Sequence, residues 1–160
     1  MKNLIQTSAS SKEFQNRQLL TAIKEMIKTP LLRQEGFKQL LKIDADSLFT
    51  GNQIYYYYIK GKYYVLTFKD ALDKDTELLA YANDCYTDMV TIAYENGYPI
   101  KNGKYHFSRA YCKYLIAINH SSEEVKSKLF QKVAQITTRV LCYHPDNTSC
   151  KWLQSQLDLE

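Results

Sequence analysis

Residues 52–68 read NQIYYYYIKGKYYVLTF and hold six of the chain's fourteen tyrosines. The tyrosines Tyr55, Tyr56, Tyr57 and Tyr58 run consecutively, and Tyr63, Tyr64, Val65, Leu66, Thr67 and Phe68 follow after a Lys60-Gly61 step. β-Branched and aromatic side chains suit a pleated surface, and glycine supplies the positive φ of a two-residue turn. The stretch therefore predicts an aromatic β-hairpin over about residues 53–68. Pairing Tyr58 with Tyr63 places Tyr55, Tyr57, Tyr64, Leu66 and Phe68 on one face. Ile54, Tyr56, Tyr58, Tyr63 and Val65 then occupy the other. An isolated hairpin is marginal in water, so at least one face must pack on helices. The second is covered too or offered to a partner.

The flanks predict helices. Ser10 and Glu13 fit a capping box opening a helix to about Lys28, with Leu19, Ile23, Met26 and Ile27 on one face before Thr29-Pro30 stops it. Residues 1–9 read as frayed. A second helix, roughly 31–43, presents Leu32, Phe37, Leu40 and Leu41, and Leu48 and Phe49 are expected to tuck under the hairpin. After Phe68, Asp73 or Asp75 caps a long helix ending near Glu95, where Asn96-Gly97-Tyr98-Pro99 breaks it. Asn102-Gly103 offers either a small turn or a second hairpin. IKNGKY at 100–105 also echoes IKGKY at 59–63, although the flanks of the two copies differ. A helix with Ala110, Tyr111, Tyr114, Leu115 and Ile118 follows. Ser121 and Glu124 form a second capping box for a helix to Tyr143, expected to be the central one. His144-Pro145 stops that helix, and Asp146 or Asn147 caps a last one over 148–157. The expected fold is α+β and mainly α: one domain over residues 1–160, with five to six helices around one aromatic hairpin.

Composition narrows the function classes. A chain of 160 residues can bury a core without metal or disulfide staples. No run approaches the roughly 20 apolar residues of a membrane helix, and the first residues lack the apolar core of a signal peptide. Four cysteines without a secretion signal point to reduced thiols and a cytoplasmic location. The net charge of +4 is uneven. Acids cluster after the tyrosine stretch, at Asp70, Asp73, Asp75, Glu77, Asp84, Asp88 and Glu95. Lys101, Lys104, Arg109 and Lys113 follow with no acid between them. That patch falls short of a dedicated nucleic-acid domain, yet with the tyrosines as stacking surfaces it makes these four residues candidate phosphate contacts, with Lys60 and Lys62 of the tyrosine stretch beside them.

Arg139-Val140-Leu141-Cys142-Tyr143-His144 has the Arg-x4-His spacing on a helix and resembles the motif of HEPN-type ribonucleases. The resemblance implies His144 as acid/base and Arg139 as phosphate holder. It departs from the family in the apolar Val140 and the immediate Pro145. The overlapping stretch Leu141 to Asn147, LCYHPDN, resembles the junction between tetratricopeptide repeats, which implies a peptide-binding stack of helices. The bland alternatives are a basic helix end and an ordinary helix–turn–helix. Cys142, His144 and Cys150 lack zinc spacing, so neither a metal nor a cofactor is expected. The residues favour a non-catalytic protein–protein interaction module of adaptor, chaperone-like or small-inhibitor type. Its partner contacts would come from Tyr55, Tyr56, Tyr57, Tyr58, Tyr63 and Tyr64 or from a helical groove, since tyrosine buries a large area while ordering few torsions. Nucleic-acid binding, with Arg139 and His144 as a ribonuclease pair, is the alternative.

Overall fold

The structure, a computed structural model, describes the backbone of residues 2–158 and the side chains of residues 10–158. Among the described residues every regular element is helical. Seven α-helices run α1 (Lys2–Lys28), α2 (Arg33–Leu41), α3 (Thr50–Asp70), α4 (Glu77–Glu95), α5 (Gly103–Ile118), α6 (Glu123–Tyr143) and α7 (Thr148–Leu157). Single 3-10 turns at Pro30–Leu32 and Ala45–Ser47 join α1 to α2 and α2 to α3. Residues 2–9, read from the sequence as frayed, are helical backbone at the start of α1.

The expected hairpin is absent: residues 53–68 lie inside α3, one unbroken helix. Burial overrides strand propensity here. The helix packs against α1, α2, α4 and α5, so its apolar residues are distributed around the whole circumference and mask the 3.6-residue period. Its rings reach separate neighbours. Tyr63 stacks on Phe37 of α2 with centroids 3.7 Å apart, Tyr64 meets Tyr81 of α4 at 5.5 Å, and Tyr58 meets Tyr105 of α5 at 4.6 Å. Gly61 marks a close helix approach instead of a turn. A β-carbon there would lie 2.7 Å from Cε1 of Tyr86 in α4. α3, not α6, is thus the central helix: α6 buries only Val133, Thr137 and Val140 among its described residues.

The helices form two layers. Each odd-numbered helix packs on the next odd-numbered one, α1 on α3, α3 on α5 and α5 on α7. The even-numbered helices α2, α4 and α6 pack only on flanking odd ones. This nearest-neighbour plan is that of a stacked helical array.

Other boundaries follow local chemistry. Ser10 and Glu13 lie inside α1, so the expected capping box there does not open a helix. Asn102-Gly103 makes no hairpin; Asn102 caps α5, its side chain accepting from the Lys104 N–H at 3.0 Å. Ser122, not Ser121, caps α6, and the reciprocal acceptor for its own N–H is Nδ1 of His120 at 3.0 Å. Asn147 caps α7 as expected, accepting from the Cys150 N–H at 2.9 Å. The stop after α4 has Gly97 at φ +60, with Tyr98 N–H donating to Ala93 O at 2.8 Å and Gly97 N–H to Tyr94 O at 3.1 Å. That pair is a Schellman cap. Leu48 is buried as expected, whereas Phe49 stays exposed.

Candidate binding face on the odd-numbered helices

α3 lies between α1 and α5, and side chains from those two helices meet over it. The Arg17 guanidinium of α1 sits 3.8 Å from the centre of the Tyr55 ring, and its Nη1 donates to Gly51 O at 3.3 Å. The Arg17 charge also acts on Tyr105 of α5, although α1 and α5 are not packed on one another. Burial raises the Tyr105 hydroxyl above its ordinary pKa, and Arg17 partly offsets that rise. Guanidinium over a phenol face is a favourable, semi-rigid contact. It ties α1 to α3.

Beside this clasp, ammonium groups from the same helices converge. Lys24 and Lys28 come from α1, Lys62 from α3 and Lys104 from α5. Burial pulls Lys62 below its ordinary pKa, and Lys28, Lys24 and Lys104 push in the same direction against Glu25. Lys62 is half-buried, stands 5.9 Å from the Tyr58 ring centre and forms no ion pair among the described residues. Glu25 is already engaged, 3.2 Å from Lys24 and 2.9 Å from Lys28. Burial also opposes the charge on Lys24, but hydrogen bonds to Tyr55 and Glu25 outweigh it and raise its pKa. The face therefore carries more positive than negative charge, with a half-buried cation whose desolvation an anion would relieve.

An aromatic strip continues toward α7. Lys69 lies 5.6 Å from the Tyr111 ring centre. Tyr111 stacks on Phe107 at 5.7 Å and meets the half-exposed Trp152 at 6.0 Å. Cations and rings thus alternate across four helices.

The tyrosines singled out from sequence are mostly interior. Tyr55, Tyr56, Tyr58 and Tyr63 are buried in the core, and Tyr57 and Tyr64 are half-buried. Burial raises the pKa of Tyr56, Tyr57, Tyr58 and Tyr64. With no hairpin, there is no hairpin face for a partner.

The four candidate phosphate contacts are dispersed. Lys104 joins the lysine group on the odd-helix face. Lys101 is exposed in the loop before α5. Lys113 donates to Asn83 Oδ1 of α4 at 2.8 Å, and burial, then Arg109, holds its pKa down. Arg109 is half-buried, and desolvation lowers its pKa.

Arg139 and His144 are both exposed, on α6 and at its C-cap. His144 Nε2 lies 3.1 Å from Lys101 O, and the helix ends at Tyr143 without continuing past the histidine. Cys142 is exposed and Cys150 buried. Among the described residues, no group of three or more His, Cys, Asp or Glu side chains is placed to hold a metal. No described helix is long and apolar enough to cross a membrane.

Arg17 and Lys24 are not singled out by the sequence. Arg17, Lys24 and Lys28 recur at steps of seven and four, a one-sided helical stripe that could have signalled the face on α1. Lys62 stands out only as a candidate phosphate contact beside the expected turn. No family model, curated protein or solved structure matches the chain.

Proposed function

We propose that the chain is a non-catalytic, adaptor-type interaction module that holds an extended acidic protein segment across α1, α3 and α5. The observation that carries this reading is the convergence of Lys24, Lys28, Lys62 and Lys104 from three helices onto one face beside Glu25, with Lys62 half-buried and outside any ion pair among the described residues. The half-buried Tyr105 ring and the exposed Arg17 guanidinium lie beside the charges. Three helices spaced roughly 8–10 Å apart present about 20 Å, the reach of roughly six extended residues. The module works in the reducing cytoplasm, where its free thiols persist.

Fluorescence anisotropy with a labelled glutamate-rich peptide containing one aromatic residue tests this reading. The peptide should bind with an affinity that falls as salt rises. Lys62→Glu should weaken binding at least about tenfold, or roughly 1.4 kcal/mol, without changing the circular dichroism spectrum. An unchanged affinity in that variant would remove the face from consideration. RNA in place of peptide addresses the nucleic-acid reading, for which the dispersal of Lys101, Lys104, Arg109 and Lys113 gives less support. If RNA bound more tightly than the acidic peptide and Lys62→Glu weakened it equally, nucleic acid would be the ligand.

A further inference from the structure

A second cationic cluster lies away from the lysine face, where the loop before α5 meets the end of α6 and the start of α7. His106 of α5 and His144 at the α6 C-cap hold consecutive carbonyls: His106 Nε2 is 3.1 Å from Ile100 O, and His144 Nε2 is 3.1 Å from Lys101 O. Gly103 sits tightly among them. A β-carbon there would be 3.6 Å from His144 Cδ2 and 3.0 Å from Asn147 Nδ2. The first turn of α5 and the cap of α7 therefore lie side by side. Arg109, one turn beyond His106, and Arg139 of α6 both act on His106 electrostatically.

We propose that His106, Arg109, Arg139 and His144 form a binding site for a phosphomonoester dianion. The charges and the geometry support this assignment together. None of the four residues forms an ion pair among the described residues. Between Glu95 and Asp146 the only acids are Glu123 and Glu124, which bond to Lys126 and Lys128 in the first turns of α6. That end of α6 is about 30 Å of helix from His144. Asp146 is exposed in the turn before α7.

With both Nε2 atoms committed to carbonyls, each Nδ1 remains to meet a ligand. Arg139 and His144 are exposed, whereas His106 and Arg109 are half-buried, so the cluster opens to solvent on one side. Guanidinium forks suit phosphoryl oxygens. Burial, then Arg109, Arg139 and His144, lowers the His106 pKa against the raising effect of Ile100 O. A bound dianion would counter the charge repulsion and return a proton to His106. Binding therefore takes up protons and strengthens as pH falls.

Histidine ring-proton NMR on the full chain tests the site, using phenyl phosphate as the monoester and sulfate as a dianion that does not titrate near neutrality. Both should bind. Sulfate should raise the His106 titration midpoint and, with one proton coupled to binding, should bind about tenfold more tightly at pH 5.5 than at pH 8. Arg139→Gln, an exposed change that spares the core, should weaken phenyl phosphate about tenfold or more, as loss of a charge-assisted hydrogen bond does. His106→Gln should remove the pH dependence. The proposal is overturned if neither anion moves the His106 titration, or if RNA binds here and phenyl phosphate does not. It is also overturned if Arg139→Gln has no effect while Lys62→Glu abolishes anion binding. That last pattern would leave the odd-helix reading standing, so the two can fail separately.

Discussion

At the residue scale, Arg33 shows how one side chain can tie three segments together. It is buried at the start of α2. Its Nε donates to Ile27 O at 2.9 Å, and its Nη1 donates to Leu66 O at 3.2 Å and to Asp70 Oδ2 at 2.6 Å. The guanidinium thereby caps the end of α1, where Ile27 O lacks an intrahelical partner, and gives Leu66 O a second donor near the end of α3, where positive charge is favoured. Arg33→Ala leaves the Ile27 carbonyl and the Asp70 carboxylate without their donor and should cost about 2–4 kcal/mol. Asp70 is half-exposed and water can replace its partner, so Asp70→Asn should cost under about 1 kcal/mol. Urea unfolding of the two variants checks the order. Equal losses would mean that the ion pair, not the backbone contacts, carries the stabilisation.

At the element scale, α3 decides how the molecule is built, and Gly61 decides how closely α4 approaches it. The Tyr86 ring that faces Gly61 is fully buried, inside the core between α3, α4 and α5. It has little freedom to move aside. Alanine at position 61 would gain roughly 1 kcal/mol of helix propensity but would overpack the crossing by about 1–3 kcal/mol. Gly61→Ala should therefore lower the melting temperature by a few degrees, measurable by calorimetry. A rise would show that the ring yields.

This crossing also explains what the sequence conceals. Four of the flanking helices are legible because each has one apolar stripe and a stop or cap of recognisable chemistry. Lys28-Thr29-Pro30, Asn96-Gly97, His144-Pro145 and Asn147 all work as their residue types suggest. α3 is illegible for the opposite reason. Four helices surround it, so its apolar residues have no polar side to set a period, and its glycine is placed by a ring from another helix. The lysine face is half-legible: its α1 stripe recurs at helical spacing, but Lys62 and Lys104 join it only through the stacking order. His106 beside His144 depends on a contact between residues 38 positions apart, which no local pattern announces.

At the scale of the whole molecule, the many buried phenols and thiols tie stability to alkaline pH. Burial raises the Tyr86 hydroxyl well above 10.0 and also raises Tyr56, Tyr58 and Tyr105. It pushes the Cys85 and Cys112 thiols from 9.0 up to about 12. Each group holds its proton more tightly when folded than when unfolded, so its contribution is complete below the unfolded value and is lost as pH rises through the folded one. Stability should be flat with respect to these groups up to about pH 8 and then decline, beginning with the thiols near pH 9 and steepening as the phenols join above pH 10. The share of tyrosinate absorbance that belongs to the buried phenols should appear only together with loss of helix, after that of the exposed Tyr81, Tyr94, Tyr98 and Tyr143. A tyrosine titration that runs to completion before unfolding would show that the buried phenols are reached by solvent in the native state.

The contact between Gly61 and Tyr86 also bears on inheritance. Two positions 25 residues apart share one volume, so a larger side chain at position 61 costs stability while the ring at position 86 stays. A descendant of this chain that acquires a methyl group at position 61 is expected to survive with a smaller side chain at position 86, and one that keeps the large ring is expected to keep the glycine. The most tyrosine-rich stretch of the chain thus has its history constrained at the one position where it carries no side chain.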